Sequence, residues 1–595
     1  MAARTVQINS FCGGTSKLAD SEFLGLEETV NMYPETVTAT DTYTTKMMKS
    51  VEGFDGIGNP TADIRIAKIN GFGHASVHPN SKQESAVMVW TGIEENLGDL
   101  KSEVWSYNID DDAETIGYFN PTRTEECSML ELPNGILLIL RDSGGAERSK
   151  ITLADPTSAS HLELPNLTLP VAFDHNNRID PTQMAQLNFR VILNDRDHDY
   201  IYWSEINRPT DETDTHAFEQ SLTQYAYTKN DGTVVTFDDN VFYAPAVGTY
   251  DPDTLTTQTV YSSALNSMKM DFKADTVVAL RASDSSLFVF GRSSLQILRW
   301  QNSTIAPFAI VNKSSLAGVL SKDAVTIIGN ECFFVGKGPN GMLGAFAVDE
   351  NGNIRKISTA SEDQLLARIA RSHEGGGGAG GNHPLENVRT FAYSYKGHQF
   401  FIFTIRAGIE ETRVFDLTEN VWTSRACYDL NGDRYSWNVL DAVSVDGEPF
   451  FFIFGADEGT GLAWFKPNKH TDKFIDSLNA YIRKERTTGI KFDGINDIVV
   501  TSLELIINSG DTGVVDPSKD GYNPRVMLQV SVDGGRTWSN ELWANAGRTG
   551  EYSWRVRWNQ LGRGARFAFR VAMSDPFNFE IATAYLSYLP CGNRV

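Results

Sequence analysis

The chain has 595 residues, 41% of them hydrophobic and 22% charged, with a formal net charge of −24 at pH 7. That length exceeds what one core organises, so two or three folded domains are expected. The acidic balance excludes wrapping nucleic acid by neutralising its phosphates. It leaves open simple solubility or a channel through which DNA slides without sticking.

Aromatic residues make up 11% and glycines number 49, which favours strands joined by tight turns. Met1 to Gly14 holds no apolar run of the signal-peptide kind. No apolar stretch approaches the ~20 residues of a membrane helix, so a soluble chain without membrane insertion is expected. The cysteines are Cys12, Cys127, Cys332, Cys427 and Cys591, odd in number and without a Cys-x-x-Cys pair. They read as reduced thiols of a cytosolically synthesised protein, not as a disulfide framework or zinc site. Cys332, in the run Cys332-Phe333-Phe334-Val335, reads as core filling.

In chain order, apolar hairpins recur. Residues 86–90 face 104–109, 135–140 face 151–153, 188–193 face 200–203, and 287–290 face 295–298. Further on, 333–335 face 345–348, 391–395 face 400–403, and 439–445 face 450–454. Val414 to Trp422 reads as an outer strand. Units recurring every 40–50 residues or so suggest blades that stack around an axis. Six blades are favoured and seven possible; a sandwich array shows the same hairpins. The expected architecture is therefore all-β: an N-terminal arm over 1–60, a β-propeller over 61–489, and a C-terminal β-sandwich over 490–595.

Two segments interrupt the pattern. Residues 207–275, rich in Asp, Thr and Tyr, read as an insertion. Ser361 to Ser372 reads as a short helix with Ser361 as N-cap, running into a Gly-rich loop over 374–384. No Gly-Lys-Ser/Thr follows that loop, so it is not a phosphate cradle.

The richest stretch lies near the end. Ser531-Val532-Asp533-Gly534-Gly535-Arg536-Thr537-Trp538 reads as a tight hairpin whose glycines supply positive φ. Its Ser531, Asp533, Gly535, Thr537 and Trp538 match the spacing of the Asp-box of sialidases and other propeller proteins, a structural element and not a catalytic one. After it come Gly550-Glu551-Tyr552, Trp558-Asn559-Gln560-Leu561-Gly562-Arg563, an aromatic strand, and Ser574-Asp575-Pro576. Earlier, Val30-Asn31-Met32-Tyr33-Pro34-Glu35, the hairpin Leu287 to Trp300, and Ile357-Ser358-Thr359-Ala360-Ser361 form an ordered series with them.

This series resembles the tail hub, or nozzle, family of short-tailed bacteriophages, also called packaged-DNA stabilisation proteins. The resemblance implies a structural virion protein, made in the host cytoplasm and carried in the tail. It implies a homohexameric ring below the portal and adaptor ring that holds a needle or plug, contacts tailspikes or fibres, and passes DNA without reading its sequence. It implies no cofactor and no catalytic set. Extra length at 92–102, 207–275 and 374–387 would fit added loops.

Acidic groups that could line such a channel, or simply face solvent, are Asp110, Asp111 and Asp112, Glu125 and Glu126, and Asp195, Asp197 and Asp199. The last three begin like a calcium loop, but Tyr200 replaces the required Gly and Ile206 the bidentate Glu. His373, Glu374 and His383 lack a zinc-binding helical frame. The competing functional readings are a sialidase-like propeller glycosidase and a carbohydrate-binding adhesion module.

Overall fold

The computed structural model describes residues 275–301, 315–374, 411–428 and, with isolated gaps, 479–591, and otherwise mainly strands and short turns. Statements below concern those residues. A series of antiparallel sheets runs from residue 66 to 428, and every hairpin named from the sequence pairs within it or just after it. The sheets are short meanders: 126–163, 184–269, 279–310, 318–356 and 388–428. The strand Phe54–Gly58, which precedes the series, pairs with Leu462–Phe465 and Thr471–Lys473. That pairing joins a strand before the series to two strands after it.

Face-to-face stacking explains the continuous apolar runs. Leu287, Val289 and Leu298 pack with Ile192 and Trp203 of the preceding sheet. The alternate residues Phe288, Phe290 and Ile297 pack with Phe334 and Phe346 of the following one. Phe333 and Val335 then meet Phe401, Phe403 and Trp422. Successive strand residues face opposite sides, so a strand buried on both faces must be apolar throughout. Each such Phe contributes about 1.5–3 kcal/mol by leaving water. Cys332 is fully buried in this stack, and burial pushes its thiol pKa up against the opposing charge of Arg281.

Several sequence expectations change in detail. Val414 to Trp422 is not one strand but two, Glu411–Asp416 and Val421–Tyr428, turned at Asn420 with φ 56°. The helix, α1, is Ala360–Glu374, and its cap is Thr359, not Ser361. Glu362 reaches back to accept from Thr359 N–H at 3.0 Å and from the Thr359 hydroxyl, and Thr359 Oγ1 accepts from Ser361 N–H at 3.3 Å, which satisfies an orphan amide of the first turn. Residues 92–96 and 99–102 are strand, not loop. Their ladder continues to Asn96↔Asp99. The segment 207–275 carries two short hairpins, Tyr225–Thr228 with Val234–Phe237 and Thr249–Asp251 with Thr256–Gln258. The Gly-rich loop over 375–387 lies outside the described residues.

The sandwich draws on both ends of the chain. One sheet orders Met32–Ala39, Tyr43–Ser50, Glu580–Pro590, Ile498–Ile507 and Val556–Gly564, with Arg4–Gln7 also on Glu580–Pro590. The facing sheet contains Lys484–Thr487, Ala568–Met573, Arg525–Ser531 and Leu542–Asn545. Their shared core includes Ile8, Phe11, Met32 and Met48 beside Leu503, Trp558, Phe567 and Phe579. The described strands and core residues of the first 50 positions are thus part of this sandwich.

Candidate functional site: the aspartate-centred loop and the domain junction

The Asp533 loop connects Arg525–Ser531 to Leu542–Asn545, which pair only as far as Leu528↔Leu542. It is a wide loop held by side chains and not a two-residue hairpin. Asp533 Oδ1 accepts from Arg536 N–H and Thr537 N–H, both at 3.0 Å, and from Ser531 Oγ at 2.7 Å. Asp533 Oδ2 accepts from Thr537 Oγ1 at 2.6 Å. Gly535 N–H in turn donates to Ser531 Oγ at 2.7 Å. Gly534 and Gly535 sit at φ 79° and 90°, where a side chain is strained. Trp538 lies against Arg570, whose guanidinium carbon is 4.2 Å from the ring centroid. Desolvation opposes ionisation of Asp533, but the bonds from Thr537, Ser531 and Arg536 outweigh it and bring its pKa down to about 2. Every carboxylate lone pair direction used here serves the loop itself, which is the chemistry of a brace.

The second constellation joins the propeller-side sheet to the sandwich. Glu28–Val30 runs parallel to Val421–Tyr428 at Val30↔Ser424 and antiparallel to Lys484–Thr487. It thereby makes one ten-stranded sheet from 388 through to 545. Asn31 follows at φ 55°, and its side chain serves both partners. Its Nδ2 donates to Ala426 O at 2.8 Å and Arg483 O at 2.9 Å, and its Oδ1 accepts from Ala426 N–H at 3.1 Å. Asn tolerates the left-handed region better than other side chains, which accounts for its place in the Val30–Glu35 motif.

Arg486 is wholly buried beneath this strand. It donates to Phe11 O at 3.0 Å, Gly14 O at 2.8 Å, Thr29 Oγ1 at 2.9 Å and Glu27 Oε2 at 3.2 Å. Burial lowers its pKa against the charge of Glu27. Nearby, Arg434 bridges Glu28 at 2.7 Å and Glu411 at 3.2 Å. Sequence reading singled out Asn31 through its motif but missed Arg486, Arg434 and Glu28, which lie hundreds of residues apart in two of three pairings.

The acidic clusters fall differently. Asp110, Asp111, Asp112 and Asp197 lie outside the described residues, as do Glu125 and Ile206. Glu126 begins the strand Glu126–Glu131. Asp195 is only 4% exposed and meets His198 Nδ1 at 3.2 Å, so it presents no free charge to a surface. Asp199 is half-buried, 3.9 Å from Lys269 Nζ. Among the described residues no three His, Cys, Asp or Glu side chains are placed to hold a metal. Cys12, Cys332, Cys427 and Cys591 are not joined in disulfides. No described helix is long and apolar enough to cross a membrane.

No curated protein matches the chain in sequence. Among solved structures, the dihydro-heme d1 dehydrogenase NirN in complex with DHE aligns with TM-score 0.33 and 11% identity, over 77% of this chain and 73% of that one. The dipeptidyl peptidase 4 of Porphyromonas gingivalis gives 0.29 and 10%, over 80% and 65%. The exo-beta-1,3-galactanase of Phanerochaete chrysosporium gives 0.23 and 8%, over 77% and 95%. Scores this low carry no functional argument. The family models are decisive instead. Residues 248–448 match the bacteriophage P22 Gp10 β-propeller, and residues 485–588 match the bacteriophage P22 Gp10 β-sandwich. With the two domains in that order and joined by one continuous sheet, the chain belongs to the bacteriophage P22 Gp10 family of tail hub, or packaged-DNA stabilisation, proteins.

Proposed function

We propose that this chain is one subunit of a six-membered ring below the portal and adaptor, retaining packaged DNA and forming the channel for its ejection. The family's propeller and sandwich in sequence order carry this reading. Its work is mechanical, with no bond made or broken. A ring under internal pressure needs subunits whose two domains do not hinge apart. The shared sheet and the buried Arg486 contacts meet that need. The net charge of −24 keeps a passing polyanion from binding, because each neutralised phosphate would add salt-dependent affinity. The needle or plug and the tailspikes or fibres are the remaining partners, and synthesis takes place in the host cytoplasm. Electron microscopy of the purified chain, alone and with its portal–adaptor complex, tests the proposal. Six-fold rings docked on the adaptor are expected; a persistent monomer or trimer that ignores the adaptor overturns it.

A further inference from the structure

The hairpin of Met32–Ala39 and Tyr43–Ser50 belongs to the sandwich, yet its first strand also lies against the sheet over 388–428. A buried histidine sits in that seam. Tyr33 stands edge-on to His398 with ring centroids 5.0 Å apart, and the imidazole stacks on Phe400 at 5.7 Å and 9°. His398 Nδ1 is 2.7 Å from Asp416 Oδ2, and the two side chains are 5% and 0% exposed.

Asp416 uses its other oxygen on the turn that follows. Its Oδ1 accepts from Thr418 N–H at 2.9 Å and from Glu419 N–H at 3.2 Å. That turn presents Glu419 to the hairpin. Glu419 Oε1 accepts from Thr36 N–H at 2.8 Å, and Oε2 accepts from Thr36 Oγ1 at 2.7 Å and from Lys46 Nζ at 3.2 Å. One carboxylate, Asp416, therefore couples the imidazole to the clip that holds the hairpin. The other charges around the pair come from both sides. Arg425 and Tyr393 lie beside Asp416 on the sheet. Glu35, Lys46 and Lys49 stand on the hairpin, and Glu580 of the adjoining strand approaches Lys49.

We propose that this seam is a proton-operated latch: protonated His398 holds Asp416, and with it the Glu419 clip, against the hairpin, and loss of the proton lets the hairpin lift from the sheet. An uncharged imidazole leaves the wholly buried Asp416 without its counter-charge, beside the further carboxylates Glu35 and Glu419. The hydrogen bond to Asp416 and these carboxylates keep His398 protonated to a higher pH than a free imidazole, against its burial. The latch is therefore shut on the acid side and opens on the alkaline side. The strand pairing through Glu28–Val30 does not involve that proton, so the hairpin seam opens while the domain junction stays.

Hydrogen exchange of the full-length chain from about pH 6 to pH 9, corrected for the intrinsic pH dependence, tests the latch. It is read on peptides covering Thr36, with peptides of Ile498–Ile507 as the reference. In the wild type, protection at Thr36 should fall at least about tenfold as pH rises, while the reference holds. His398→Gln keeps a donor for Asp416 but no charge, and should leave Thr36 poorly protected at every pH. Glu35→Gln removes one facing carboxylate and should move the midpoint to lower pH. If His398→Gln does not fold, the Glu35→Gln midpoint decides alone. Protection at Thr36 that ignores pH, or that falls equally in His398→Gln, overturns the latch. A fall shared by the reference peptides overturns it in favour of global unfolding, and an unshifted midpoint in Glu35→Gln overturns the assignment to His398.

Discussion

Replacing Arg486 by Met tests whether the N-terminal segment is held by its buried cation or by strand pairing alone. Met keeps most of the side-chain volume, so the loss is mainly of hydrogen bonds and not of packing. Three neutral acceptors, Phe11 O, Gly14 O and Thr29 Oγ1, lose their donor, and Glu27 loses its charge partner. Breaking a buried pair by removing one member costs about 3–5 kcal/mol, and an orphaned buried acceptor about 1–3. Two terms offset this: the cost of burying Arg486 is recovered, and Glu27, 26% exposed, regains water. We expect a net loss of about 3 kcal/mol. Guanidinium denaturation followed by tryptophan fluorescence reads it, with hydrogen exchange at Thr15 and Asn31, whose amides donate to Trp422 O and Ser424 O. Protection at both amides should collapse. A loss below about 1 kcal/mol with protection unchanged refutes the reasoning.

Three further outcomes follow from the same geometry. Asn31→Ala should destabilise the junction by about 2–4 kcal/mol through lost hydrogen bonds and left-handed strain, and Asn31→Gly by about 1 kcal/mol less; equal losses would show that φ is immaterial there. His398 bonds Asp416 Oδ2 at 2.7 Å, which raises its pKa above 6.5 against burial, with Asp416, Glu35 and Glu419 adding charge. Its contribution is therefore complete below pH 6.5 and lost as pH rises through the folded value. Melting temperature against pH should fall on that alkaline side, and His398→Gln should flatten the fall; an unchanged slope contradicts the assignment. Asp533, depressed from 3.8 to about 2, contributes above pH 3.8 and loses its contribution as pH falls through 2. The stability gap between wild type and Asp533→Asn should close toward pH 2, and a carboxyl NMR titration with a midpoint near 4 would rule it out.

Local patterning in the sequence determined a great deal. Runs such as Leu287–Phe290 are apolar at every position because both faces of the strand are buried, and the turn residues between runs mark the hairpins. Hairpin pairing is short-range, so it is legible from neighbours alone. The Asp533 loop is equally local: every partner of its carboxylate lies within four residues. The helix cap misread was local too, an ambiguity between Thr359 and Ser361 settled by which one Glu362 reaches. The tertiary structure alone decided how the ends meet. Nothing in Glu28–Val30 announces that it is the strand shared between Val421–Tyr428 and Lys484–Thr487, and nothing near Arg486 shows that its acceptors lie at residues 11, 14, 27 and 29. Those contacts are separated by more than 390 residues in the chain. Such partners are chosen by the packing of the whole fold, which no local periodicity encodes.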